Sequence, residues 1–184
     1  MDRKLAMLAG ATVVVLGLLG AWRWGLRADD DVVPSCSDLA GALPSAVQGS
    51  WTLTRTEPNR EVSDYLVRCE FAFRSADQAY WGTVMVSLSA DDDEASLRKR
   101  ATDGPCYGEA VPNPSAAKYS VARSCSEQIN DKIFASVFVA SDRRYGHSRV
   151  EFSSSSQSLE QVAAYARTSA QHLTDLAMSL EAGE

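Results

Sequence analysis

The stretch YLVRCEFAFR, Tyr65 to Arg74, is the clearest strand pattern in this sequence. Every second side chain is apolar, and the row consists of Tyr65, Val67, Cys69, Phe71 and Phe73. Because successive side chains of a β-strand point to opposite faces, this alternation predicts a strand with one face towards a core. The other face would carry Leu66, Arg68, Glu70 and Arg74. Cys69 is therefore expected to point into the core.

The flanking sequence extends this strand into a sheet. Tyr80 to Ser89 alternates in the same way, and Ala76 to Gln78 is short enough to connect two antiparallel strands. Ser50 to Thr56 predicts a further strand on the amino-terminal side. Asp91 is expected to cap a helix over Asp92 to Thr102, since acidic residues favour a helix start.

The second half of the chain repeats this order of elements. Three strands are predicted, at Lys118 to Glu127, Lys132 to Ser141 and Gly146 to Ser154, followed by a helix over Ser158 to Glu181. Cys106 to Ser115, which contains two prolines, is predicted to be a loop. The sequence thus predicts an α+β fold, a sandwich of antiparallel sheet and helices built from two similar strand-strand-strand-helix halves. A short helix capped by Ser37 or Asp38 is expected to precede them.

The amino terminus predicts a membrane anchor. Leu5 to Trp22 carries no charge, follows a basic start and is closed by Arg23 and Arg27. A helix of this length spans roughly 27 Å, enough for the hydrocarbon core of a bilayer. A cleaved signal peptide is the alternative, but bulky Trp22 and Trp24 lie where a cleavage site needs small residues. We expect an anchor at 1–27 with a short cytoplasmic amino terminus, a solvated linker at 28–35 and a domain at 36–184.

Four cysteines all follow the anchor, namely Cys36, Cys69, Cys106 and Cys125. An even number in a small domain indicates disulfides and an oxidising, extracytoplasmic compartment. Reduced core thiols in a cytosolic domain are the alternative, and a metal site is disfavoured because no C-x-x-C spacing occurs. In each half one cysteine follows a proline in a loop and one lies in a strand, which favours Cys36 with Cys69 and Cys106 with Cys125. Four cysteines allow three pairings, so the others stay open.

The charge of the chain limits its partners. It has 18 basic and 24 acidic side chains, and the residues beyond the anchor hold 14 of the basic and 23 of the acidic ones, a net charge of −9. Because nucleic acids are bound mainly through Lys and Arg, no nucleic-acid partner is expected. The membrane, contacted through residues 5–22, and an envelope protein or a small ligand are the expected partners.

Two segments around the cysteines resemble a known family. They are Pro34-Ser35-Cys36-Ser37-Asp38-Leu39 with Leu43-Pro44, and Arg68-Cys69-Glu70-Phe71. These segments resemble the paired-cysteine, membrane-tethered exported proteins of actinobacteria, a lipoprotein-like family of unknown function. The resemblance implies a tethered exported protein and supplies no catalytic residues. Members are usually tethered through a lipidated cysteine, whereas this chain has no cysteine at the end of its apolar run.

No catalytic set or cofactor motif is apparent. His147 is predicted to lie on the polar, solvated face of its strand with Arg149 and Glu151. His172 is predicted to lie on the last helix, beside Leu173, at the boundary between buried and exposed residues. The acidic run Asp91 to Glu94 lacks the spaced ligands of a calcium loop. No catalytic residue, metal ligand or cofactor is therefore assigned. A membrane-tethered hydrolase with unrecognised acidic residues remains the alternative, since paired carboxylates cannot be recognised from sequence.

Two aromatic residues are candidates for a binding surface. Trp81 lies on the strand face opposite Val84 and Val86, and Tyr107 lies in the predicted loop. Aromatic anchors dominate many binding sites, although most aromatic residues on strands belong to the core. The sequence predicts a single-pass plasma-membrane protein with a disulfide-stabilised domain outside the cytoplasm. We expect that domain to act as a binding or interaction module of the cell envelope, or as a secreted protein if the anchor is cleaved.

Overall fold

The structure is a computed structural model that describes residues 33–58, 66–91 and 93–181, without the side chains of 57 and 58. The predicted anchor at 1–27 and the linker up to residue 32 lie outside the described residues. Within the described segments no helix has both the length and the apolar character needed to cross a membrane. Val33 and Pro34, predicted to be part of the solvated linker, are instead buried.

Seven strands and three helices make up the described part of the chain. The strands are β1 (Gly49–Pro58), β2 (Leu66–Ser75), β3 (Trp81–Ala90), β4 (Glu109–Val111), β5 (Val121–Ile129), β6 (Lys132–Ala140) and β7 (Arg144–Ser153). The helices are α1 (Cys36–Ala46), α2 (Glu94–Asp103) and α3 (Leu159–Ser179), and a 3-10 turn spans Ala116–Lys118. This is the α+β composition expected from the sequence.

The strands form one antiparallel sheet in the order β1-β2-β3-β7-β6-β5-β4. Strands β1 to β3 form one meander and β5 to β7 form another, and the two join through β3 and β7. The similar halves expected from the sequence are therefore two meanders placed edge to edge. Val84 lies opposite Val150 at the join, which continues the apolar face across both halves.

Helices cover both faces of the sheet. Helices α1 and α3 contact each other on one face, where Phe71, Phe152, Leu39 and Leu173 are fully buried. Burying side chains of this size contributes about 1.5–3 kcal/mol each. Helix α2 packs over β5, β6 and β7 on the opposite face, where Leu97, Ala101 and Ala140 form a smaller cluster. The sandwich therefore has a large core under α1 and α3 and a second, smaller core under α2.

Local hydrogen bonds shift some helix starts from their expected positions. Helix α2 is capped by Asp93 and not by Asp91, because the Asp93 carboxylate accepts from the Ala95 and Ser96 amides. Asp91 instead accepts from the Asp93 amide through its Oδ1. Helix α1 is capped by Ser35, whose hydroxyl and backbone exchange bonds with N3 in a capping box. In both cases the true cap is the residue whose oxygen reaches the orphan amides of the first turn.

The predicted loop at Cys106 to Ser115 contains the short strand β4, which the sequence did not indicate. Glu109 to Val111 pairs with Ser126 to Ser124 of β5. Three residues are too few to produce a recognisable alternation. Strand β4 matters because it leads into a loop that covers part of α3.

Two disulfides hold the described chain together. The first joins Cys36 at the start of α1 to Cys69 in β2, and the second joins Cys106 to Cys125 in β5. These are the bridges that the position of each cysteine in its half favoured. None of the four cysteines is free. The first disulfide ties α1 to the first meander, and the second ties the chain after α2 to the second meander.

Candidate functional site

A cavity lies between α3, the second meander and the loop after β4. Its volume is about 430 Å³, within the range of small-molecule sites. Its apolar walls come from the loop and from β6, and consist of Val111, Pro112, Pro114, Ala135 and Val137. Its polar lining comes from α3, with Arg167, Thr168, Gln171 and His172, and from the sheet, with Ser124 and Ser136. We call this space the α3 cavity.

The loop wall of the α3 cavity is fastened to α3 by one carboxylate, Asp175. The Ser115 hydroxyl donates to it at 2.6 Å, the Tyr119 hydroxyl at 2.7 Å and the Gln171 amide at 3.0 Å. Lys118 adds an ion pair at 3.4 Å. Hydrogen bonds to an ionised group contribute about 1.5–3 kcal/mol each. We call these five residues the Asp175 cluster, and it sets the distance between loop and helix.

Interactions within the Asp175 cluster favour the ionised form of the Asp175 carboxyl group. Partial burial works to raise the pKa of Asp175, but the hydrogen bonds and the Lys118 charge outweigh it and lower the pKa below the usual value. Burial, followed by the hydrogen bond to Asp175 and its charge, raises the pKa of Tyr119. The phenol therefore stays protonated and remains a donor to the carboxylate.

Gln171 carries an unsatisfied acceptor beside the cavity. Its side chain is buried, with only 4% of the residue exposed, and it lines the cavity wall. Its Nε2 donates to Asp175, which fixes the amide orientation because a flipped amide would place two acceptors together. Its Oε1 has no hydrogen-bond partner among the described residues. A buried acceptor without a partner costs about 1–3 kcal/mol.

Arg167 and His172 form the exposed rim of the α3 cavity. Within the described part of the chain, Arg167 makes no hydrogen bond or ion pair. Thr168 and His172 also border a second cavity of about 390 Å³ on the other side of α3, next to Tyr165 and Asp77. Thr168 and His172 on α3 thus lie between two cavities, and of these two only the α3 cavity is lined by Gln171.

The two aromatic residues predicted as a binding surface lie away from the α3 cavity. Trp81 is half-buried on β3, on the face opposite α3, where it pairs with Ser153. Tyr107 is 59% exposed and its ring lies 6.0 Å from the Arg149 guanidinium. Arg149 is four residues from Ser153 along β7, a separation of roughly 13 Å at strand geometry. The two aromatic residues share a side of the sheet without a described contact between them.

The interpretation of His147 as a solvated histidine is wrong. The ring stacks on Phe138 with centroids 4.0 Å apart, and its Nε2 is buried without a hydrogen-bond partner among the described residues. Desolvation, and secondarily the charges of Arg149 and Arg68, lower the pKa of His147 to about 3. The polar pattern of β7 suggested a solvated face, but α2 covers part of that face. His172, by contrast, is exposed on α3.

Sequence reasoning missed the residues that shape the α3 cavity. Arg167, Gln171 and Asp175 are spaced four residues apart and therefore form one row along α3. That row borders the apolar stripe of Val162, Ala166, Leu173 and Ala177. A polar row directly beside an apolar stripe was a recognisable signal of a helix that faces both core and cavity. The partners Ser115 and Tyr119 were not recognisable, since they lie far away in sequence.

Comparison with protein-family models, with curated proteins and with solved structures finds no match. The described residues contain no group of three or more His, Cys, Asp and Glu side chains placed to hold a metal ion.

Proposed function

We propose that this protein is a non-catalytic binding module of the cell envelope that takes a small ligand into the α3 cavity. It would be held at the plasma membrane by residues 5–22, with the disulfide-stabilised domain outside the cytoplasm. The observation that carries the proposal is the cavity of about 430 Å³ with mostly apolar walls and one buried, unpartnered acceptor on Gln171. Sites for small molecules combine apolar walls with a few placed polar groups in this way.

The two disulfides support an oxidising compartment, because such bonds persist outside the cytoplasm and are rare within it. The kinship with the actinobacterial exported proteins stays a prediction, as do the anchor and its orientation.

The α3 cavity favours binding over hydrolysis. Its hydroxyl groups include Ser124, whose Oγ accepts from the Asn113 amide and so is already engaged. Among the described residues no cavity hydroxyl is hydrogen-bonded to His172, so the wall has no nucleophile–base pair. Asp175 has its donors in place and lies opposite no second carboxylate in the Asp175 cluster. These contacts support a holding role for the cavity.

Methyl NMR of the full-length chain in lipid nanodiscs tests this proposal. A fragment mixture that contains neutral, anionic and cationic compounds is added, and the methyl signals of Val111, Ala135 and Val137 are followed. We expect saturable shifts at these three positions and none at Val86, which is buried under α1 and α3. Absence of any shift at the cavity methyls with every fragment class would overturn the proposal.

A further inference from the structure

The polar groups of the α3 cavity are arranged in a fixed order from rim to wall. Arg167 is exposed at the rim, and Gln171 is buried one helical turn further on. Residues four apart on a helix have Cβ atoms about 5–6 Å from each other. A positively charged side chain and a buried amide thus line the same space one helical turn apart.

Each of these groups selects a different feature of a ligand. The guanidinium of Arg167 has its donors free of any described partner, and its planar fork matches a carboxylate. The Oε1 of Gln171 accepts and cannot donate, so it selects an N–H or O–H group. Pro112, Pro114 and Val137 add apolar surface to the same cavity.

The negative charge of Asp175 does not cancel this selection. Its carboxylate is already engaged by the donors of Ser115, Tyr119 and Gln171 and by the charge of Lys118. A ligand anion at Arg167 therefore lies two helical turns from a carboxylate whose charge is partly compensated by Lys118. A cationic ligand would have to displace these donors before Asp175 became its partner.

We propose, building on the ligand-binding role above, that the α3 cavity selects a small organic carboxylate that also carries an N–H or O–H donor. The carboxylate pairs with Arg167 at the rim. The donor reaches the Gln171 Oε1 in the wall. The apolar body of the ligand packs between α3 and the loop after β4.

Three matched probes separate the parts of this proposal. 4-Hydroxybenzoate has both the carboxylate and the donor, benzoate lacks the donor, and methyl 4-hydroxybenzoate lacks the charge. Each is titrated into the full-length chain in nanodiscs and followed at the methyl groups of Val111, Ala135 and Val137. We expect 4-hydroxybenzoate to bind about tenfold more tightly than either other probe, since each loses one polar contact.

Two variants assign the charge selection to Arg167. Arg167→Gln should remove the preference for 4-hydroxybenzoate over its methyl ester, and Arg167→Lys should restore part of it. Arg98→Gln is the matched control, because Arg98 is an exposed arginine on α2 that pairs only weakly with Glu94 at 3.4 Å. It should leave all three affinities unchanged.

The outcomes distinguish the ligand class from the binding role. Equal binding of the three probes at the cavity methyls would overturn the carboxylate-and-donor class while leaving the binding role intact. An unchanged preference in Arg167→Gln would also overturn the class. If no probe and no fragment of any class shifts the cavity methyls, the binding role itself fails.

Discussion

The stability of this domain should fall in mild acid because of one histidine whose Nε2 is buried. His147 stacks on Phe138, and its Nε2 has no described partner that would stabilise a proton on the ring. Desolvation comes first among the causes that lower its pKa to about 3, followed by the charges of Arg149 and Arg68. The folded protein therefore keeps this ring neutral at pH values where an exposed ring is protonated.

The sign and size of the effect follow from proton linkage. In the unfolded chain the histidine titrates near 6.5, so below that pH the unfolded state binds a proton that the folded state refuses. The contribution is fully present above pH 6.5 and is lost as the pH falls towards the folded value. Between pH 7 and pH 5 the predicted loss is about 2 kcal/mol, because each pH unit of this window contributes up to about 1.4 kcal/mol.

Equilibrium unfolding of the full-length chain by urea, at pH 7 and at pH 5, measures this loss directly. Asp and Glu side chains with ordinary pKa values stay mostly ionised across that range, so they add little. His147→Gln should reduce the pH dependence to a few tenths of a kcal/mol, whatever its effect on absolute stability. His172→Gln is the matched control, since the other histidine is exposed and should leave the slope unchanged.

NMR can show directly whether burial controls the protonation of His147. The chain has only 2 histidines, so their ring signals can be assigned by comparing the two variants. If the His147 ring titrates near 6.5 in the folded protein, burial does not control its protonation. Equal pH slopes for the native chain and for His147→Gln would lead to the same conclusion.

The remaining predictions concern the Asp175 cluster, the disulfides and the location of the domain. Asp175→Asn should lower the free energy of unfolding by about 2 kcal/mol and Tm by several degrees, whereas exposed Asp142→Asn should change neither. Because the folded pKa of Asp175 is lowered, its contribution to the free energy of unfolding is present above about pH 4 and is lost at lower pH. Asp175→Asn should therefore lose less stability than the native chain when both are titrated to acid. The first disulfide closes a loop of 33 residues and the second a loop of 19. Replacing both cysteines by alanine should lower the free energy of unfolding in urea by about 4 kcal/mol for the first disulfide and by about 3 kcal/mol for the second. In intact cells a membrane-impermeant maleimide should label the four cysteines only after reduction, and labelling without reductant would contradict the disulfides.

Much of the fold was predictable because its cues are local. The alternation around Cys69 and the hairpin connection before Trp81 each lie within ten residues or so, and both elements occur in the structure. The predicted cap of α2 was wrong because two neighbouring aspartates, Asp91 and Asp93, could each cap the helix. Only the geometry of the first turn decides which carboxylate reaches the free amides.

The α3 cavity was less predictable because its parts come from distant segments. Ser115 meets Asp175 across 60 residues of sequence, and neither residue type indicates a partner by itself. His147 shows the same limit, since its strand pattern was polar and its burial depends on α2 packing over the second meander.

The sequence by itself determined the class of fold, the order of the main elements and the presence of paired cysteines, because periodicity and cysteine count are properties of the chain. Only the tertiary structure decided that β3 joins β7, that helices cover both faces of the sheet, and that Gln171 lies buried beside a cavity. These features depend on which surfaces meet when the two meanders pack, and that is fixed by long-range contacts, not by local preference.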